Sequence, residues 1–201
     1  MNNLFDELID NVTINGKRYS LHMWFDTVLK FFALMQEDQF NDLQKMLIAF
    51  NMFVDDEGDD IDIEARVTTV HTIVDQFIIG KDDGKKSSNN QTSKKSYDLD
   101  QDAQYIYSSF KQEYGIDLID EQGSLRWEKF TALMAGLRDG TKFQEIIGIR
   151  VAKIPSGKGT ESEAKRLREL KRIYALEESR ETREEEMNAM FNNFITGGKL
   201  K

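Results

Sequence analysis

"YDLDQDAQYIYSSFKQEYGIDL", residues 97–118, sets three aspartates at alternate positions ahead of a run of aromatics. Two readings compete for it. Asp98, Asp100 and Asp102 could form a carboxylate cage for Mg²⁺ or Ca²⁺ beside an aromatic pocket, or they could open a buried helix. Leu99, Ala103, Ile106, Tyr107, Phe110 and Tyr114 recur at spacings of three and four, the period of one helix face. Alternate residues of a helix do not share a face, and no distant acid at motif spacing accompanies the three. Carboxylates at a helix start accept orphan N–H groups and oppose the positive end of the dipole. The stretch therefore reads as a capped helix. Tyr105 and Tyr107 cannot both face one core, so one of them reaches solvent or a neighbouring element.

The surrounding composition fits a helical protein. The chain has 201 residues, 39% hydrophobic and 31% charged, with one proline (Pro155) and no cysteine. Long helices are permitted, whereas disulfides, thiolate metal sites and cysteine nucleophiles are excluded. No apolar run approaches the roughly 20 residues that span a bilayer. The start, "MNNLFDELID", lacks a signal-peptide pattern, which points to the cytoplasm of the cell that makes the protein. The net charge of −9 is uneven. Residues 1–80 set five basic side chains against fifteen acidic ones, residues 81–96 five against two, residues 97–150 six against ten, and residues 151–201 eleven against nine. An acidic body argues against general nucleic-acid binding.

Working outward, "VTINGKRYSL" (12–21) predicts a β-hairpin. Asn15-Gly16 suits a type I′ turn, and Val12, Ile14, Tyr19 and Leu21 alternate with polar residues. Such a hairpin must pack on helices. Three apolar stripes supply them: Phe25, Val28, Leu29, Phe32 and Met35; then Phe40, Leu43, Leu47 and Phe50; then Ile63, Val67, Val70, Val74, Phe77 and Ile78. "GKDDGKKSSNNQTSKKS" (80–96) has no large apolar residue and reads as a flexible linker.

Beyond residue 118, "SLRWEKFTALMAGL" (124–137) offers Ser124 as an N-cap, with Trp127, Phe130, Met134 and Leu137 on one side. Thr141 with Gln144, and Thr160 with Glu163, read as capping boxes. After Thr160 no Gly or Pro occurs until Gly197, which predicts one long helix over 160–196. Its apolar residues sit at the two ends, and residues 177–186 are polar. The expected fold is mainly α: an N-terminal β-hairpin packed on helices in a domain of residues 1–80, a linker over 81–96, a helical domain over 97–150, and the long charged C-terminal helix.

No motif of covalent chemistry stands out. In "VDDEGDDIDIE" (54–64) a calcium loop counted from Asp55 would need Gly sixth and Glu twelfth, but Gly58 is fourth and Arg66 twelfth. "PSGKGT" (155–160) lacks the spacing and strand context of a phosphate loop and reads as a connector. His22 and His71 have no partner at metal or triad spacing. A protein without enzymatic activity, cofactor or metal is expected.

The segment from residue 97 to 150 resembles the gene product fifteen family of tailed phages from Gram-positive bacteria. The similarity is carried by Asp98, Asp100, Gln101, Asp102, Ala103, Ile106, Tyr107, Phe110, Tyr114, Gly115, Ile116, Asp117 and Leu118. It continues through Leu125, Trp127, Lys129, Phe130, Leu133, Gly136 and Leu137, and through Ile146, Ile147, Gly148, Ile149 and Arg150. It is fair over the hairpin and first helices and weak in the linker and C-terminal helix. Two departures from the family pattern, at Arg126 and at Arg138-Asp139-Gly140, read as surface changes. The resemblance implies a protein encoded beside the tail tape-measure protein and, from that, a tail-assembly chaperone that coats the tape-measure chain in the host cytoplasm. It implies no catalytic residues.

A chaperone of a long helical protein needs exposed apolar helix faces on a soluble body. Leu167, Leu170 and Tyr174 offer one such face on the C-terminal helix, and Met187, Met190, Phe191 and Phe194 a second, where Met adapts to varied surfaces. Partners are then the tape-measure protein and other tail-assembly proteins, with no nucleic acid or membrane; self-association stays open. Two alternatives remain: a structural tail or connector component, and a regulatory nucleic-acid binder using Lys165, Arg166, Arg168, Lys171 and Arg172.

Overall fold

A computed structural model describes residues 7–56, 58, 60–78 and 96–177. They fall into two compact units. The first comprises described residues up to 78 together with 122–130, and the second 96–121 with 131–177. The sequence signature over 97–150 is thus divided, since its middle returns to the first unit. The linker lies outside the described residues except for Ser96.

The first unit opens with strands β1 (Asn11–Ile14) and β2 (Lys17–Leu21), paired antiparallel with Val12 opposite Tyr19 and Ile14 opposite Lys17. Asn15 and Gly16 carry φ of 50° and 83°, as the predicted turn demands. The register puts Ile14, Tyr19 and Leu21 on one buried face. A short third strand, β3 (Val54–Asp55), joins the other side of β2. It was hidden in an acidic loop because two residues carry no periodicity.

Helices α1 (Phe25–Gln36), α2 (Asp42–Phe53) and α3 (Ile63–Ile73) follow, with α3 continuing as a π-helical turn, Val74–Ile78. Asn41 and Gln44 form a reciprocal capping box at the start of α2, and Asp62 caps α3 through the Ala65 amide at 2.8 Å. The buried Lys45 ammonium donates to the Met35 carbonyl at 2.7 Å and so satisfies the end of α1.

The three apolar stripes are real, but two sit a fraction of a turn from their predicted places. On α2 the core residues are Met46, Ala49, Phe50 and Phe53, while Phe40 is outside the helix and exposed. On α3 they are Val70, Ile73 and Val74, and Ile63 is exposed. On α1, Phe31 and Leu34 are buried, and Leu29 and Phe32 half-buried. Phe31 meets Phe53 at 5.3 Å between ring centroids.

Residues 122–130 complete this core. The Phe25 amide donates to the Leu125 carbonyl at 2.9 Å, and the Trp127 amide to the Met23 carbonyl at 2.8 Å, so Trp24 and Arg126 form an antiparallel bridge. Phe130 stacks on Phe25 at 5.1 Å, and Trp127 meets Phe32 edge-on at 5.9 Å. Arg126 is therefore no surface change. It is 7% exposed, donates to the Ile9 carbonyl at 2.7 Å and pairs with Glu128 at 2.9 Å. Ser124 is not an N-cap either, because helix α5 (Trp127–Ala135) begins after Arg126.

The second unit contains α4 (Ala103–Tyr114), the end of α5, α6 (Lys142–Val151) and α7 (Glu161–Ile173). Ile106 and Phe110 of α4 pack with Leu118, Leu137, Phe143, Ile146 and Ala164 as its buried apolar residues. Thr141 and Thr160 hold the N-cap positions of α6 and α7, but their hydroxyls donate backwards, to Arg138 and Gly157. The orphan amide of Phe143 is satisfied instead by the buried Ser109 hydroxyl of α4, at 3.0 Å.

The C-terminal helix differs from expectation. It stops at Ile173; Tyr174 leaves it and residues 175–177 are non-helical. The Tyr174 carbonyl accepts from Arg150 Nε at 2.6 Å, and Gln101 binds the Glu177 amide at 2.9 Å, contacts that draw the chain off the helix axis. Residues 178–201, with Met187, Met190, Phe191 and Phe194, lie outside the described residues.

Phe53→Ala should destabilise the first unit by about 3–5 kcal/mol, because its fully buried ring leaves a cavity between α1 and α2. Equilibrium denaturant unfolding reads this as a lowered midpoint with unchanged slope.

Candidate functional site

The three aspartates of the opening stretch have three different roles. Asp98, 2% exposed, accepts the amides of Asp100 and Gln101 at 2.9 and 3.0 Å and so caps the turn that leads into α4. Asp100 is exposed. Asp102, 1% exposed, sits at the N-cap position but spends no oxygen on its own helix. One oxygen accepts the Asp98 amide at 3.0 Å, and both face Arg150 in a two-pronged pair at 2.6 and 2.7 Å. Arg150 also donates to the carbonyls of Ser96 at 3.1 Å and Tyr174 at 2.6 Å. A single guanidinium at the end of α6 thereby ties the entry of α4, the segment before it and the exit of α7.

This arrangement is built for holding. Planar pairing of guanidinium and carboxylate is the strongest geometry such groups can adopt, and backbone carbonyls take two of the three N–H donors left over. Metal ligation would require those carboxylate oxygens to be free. Among the described residues, no group of three or more His, Asp or Glu side chains is placed to hold an ion.

Around the acidic loop, an open polar cleft of about 390 Å³ is lined by His22, Asn51, Val54, Asp55, Asp56 and Arg66. Arg66 crosses it, donating to the Ile61 carbonyl at 2.9 Å, approaching Asn51 at 3.3 Å and pairing with Asp56 at 2.9 Å over the Phe50 ring. The cleft is thus spanned by its own ion pair. His71 lies elsewhere, on α3, with Nδ1 3.1 Å from Asp75.

Tyr105 and Tyr107 of α4 both find neighbours. Tyr105 meets Tyr174 edge-on at 6.2 Å, and Tyr107 donates its hydroxyl to Asp117 at 2.9 Å. The hydrogen bond from Tyr107 holds the Asp117 carboxyl below its ordinary range, helped by the Ile119 amide and Lys111, and raises the Tyr107 phenol in turn.

Of the predicted partner-binding residues, Leu167 and Leu170 are half-buried. Tyr174 is half-buried too, contacting Tyr105 and lying under the Lys142 ammonium at 5.2 Å. Large apolar side chains left open in this unit lie at helix ends instead: Val151 (60% exposed) closing α6, Ile154 (41%) just after it, and Ile173 (60%) closing α7, with Ile119 on the loop after α4. Ile173 lies beside the stripe of Leu167, Leu170 and Tyr174 in the sequence and Val151 follows Ile147 by four residues, but spacing does not tell an open apolar side chain from a covered one. No described helix is long and apolar enough to cross a membrane.

The family profile described as Bacteriophage Gp15 protein matches residues 4–176. No curated protein and no solved structure matches the chain.

Arg150→Met should cost about 3–5 kcal/mol by stranding the Asp102 carboxylate, whereas Asp102→Leu with Arg150→Met together should recover most of the loss. A double-mutant cycle from urea unfolding measures the coupling. The Asp117 pair gives a separate pH signature. Its folded carboxyl titrates below the ordinary 3.8, so its stabilisation is complete above that value and is lost as pH falls through the lowered one. Tyr107→Phe should move the Asp117 midpoint upward in a carboxyl NMR titration.

Proposed function

The chain belongs to the phage Gp15 family, and from that membership we propose that it is a tail-assembly chaperone, which binds the tape-measure protein in the host cytoplasm and makes or breaks no covalent bond. The observation that carries this reading is the placement of exposed apolar side chains, Val151, Ile154 and Ile173, on a unit whose interior is otherwise closed by Phe110, Phe143 and Ile146. A protein that shields long helices needs open apolar contacts on a charged, stable body. The buried Asp102–Arg150 pair supports that division of labour by holding the helix ends that carry the contacts.

Co-expression with the tape-measure protein encoded in the same phage should raise the soluble fraction of that protein, and purified virions should lack this chain by mass spectrometry. An unchanged soluble fraction counts against chaperoning. A fixed copy number in particles would favour a structural tail component instead.

A further inference from the structure

The residues that flank Val151 and Ile173 meet at Arg150. The Lys171 ammonium donates to the Arg150 carbonyl, and Arg150 donates to Tyr174, so the last residues of α6 and α7 are drawn to one place. Ile154 follows Val151 by three residues. The charges beside these side chains are not balanced. Lys153 lies between Val151 and Ile154, and Arg172 precedes Ile173; both are exposed. Lys165, Arg168 and Arg172 recur at spacings of three and four along the exposed side of α7, and Arg166 stands two turns behind Ile173. Against these stand the exposed acids Glu161, Glu163 and Glu169 of α7, with Glu169 one turn before Ile173, and Glu177 four residues after it; over 151–177 seven basic side chains face four acidic ones.

We infer that the ends of α6 and α7 form a docking surface for an acidic amphipathic helix of another protein, its apolar side seated on Val151, Ile154 and Ile173 and its carboxylates facing Lys153, Arg168 and Arg172. The inference rests on the chaperone reading and names the chemistry of the segment bound. Charge complementarity selects it: a basic rim favours carboxylates, and it disfavours a basic helix of the same hydrophobicity. The first 80 residues, with fifteen acidic against five basic side chains, offer an acidic helix no comparable field.

The test uses the full chain and two fluorescent synthetic helices with leucine at i, i+3, i+4 and i+7, one carrying glutamate and the other lysine at the remaining positions. Anisotropy should show the glutamate peptide bound at least about tenfold tighter at low salt, with the gap narrowing as salt rises. Ile173→Glu should weaken it by about tenfold. Arg168→Glu with Arg172→Glu should reverse the preference toward the lysine peptide, an outcome that misfolding cannot produce. Equal binding of both peptides, binding of neither, or capture of duplex DNA or anionic vesicles in place of the glutamate peptide would overturn the inference. So would dimerisation of the free chain abolished by Ile173→Glu. If the tape-measure protein is kept soluble equally by wild type and the charge-reversed variant, this surface is wrong and the chaperone role stands. If the glutamate peptide binds as expected and the tape-measure protein stays insoluble, the surface stands and that role falls.

Discussion

The pairing of Arg150 with Asp102 is the constraint on which the second unit depends. Both groups are largely withdrawn from water, where an unmatched charge would cost several kcal/mol, so their positions must be met together. The guanidinium also takes the carbonyls of Ser96 and Tyr174. Three partners, Ser96, Asp102 and Tyr174, therefore converge on one side chain. An apolar contact can slide, but a fork of N–H groups against a planar carboxylate cannot, and this gives the helix ends a defined register. The same guanidinium holds the exit of α7, through the Tyr174 carbonyl, just after the helix ends at Ile173.

A related economy governs the helix starts. Three sequence motifs promised that α4, α6 and α7 would cap themselves. The structure assigns those duties across elements. Asp102 serves Arg150, the Thr141 and Thr160 hydroxyls serve the preceding turns, and Ser109 of α4 serves α6. The Ser109 bond makes α6 depend on α4 for one of its orphan N–H groups, which couples the formation of the two helices.

Much of this was legible beforehand. The hairpin, its turn and the α helices announced themselves through Asn15-Gly16 and the three- and four-residue spacings. Family membership was legible from residues 97–150, and the profile match over residues 4–176 shows it. What stayed hidden was long-range. Forty-eight positions separate Asp102 from Arg150, and no local pattern links them. Arg126 looked like a solvent residue because a charge beside Trp127 usually is one; its burial is explained only by Glu128 and by the Ile9 carbonyl, 117 residues away. β3 was too short to show a period. Phe40 and Ile63 were misplaced because Phe40 precedes the first turn of α2 and Ile63 is the first residue of α3, where neither is covered by the core.

The antiparallel bridge between Trp24 and Arg126 bears on synthesis. The N-terminal core is closed by a strip that the ribosome makes roughly a hundred residues after it begins α1. Until Trp127 and Phe130 emerge, the rings of Phe25 and Phe32 have no cover from that strip, and the first amide of α1 lacks its acceptor. Maturation of the amino-terminal half is thus timed by translation of the carboxy-terminal half, and any shortened product ending before that strip would carry an aromatic seam open to water.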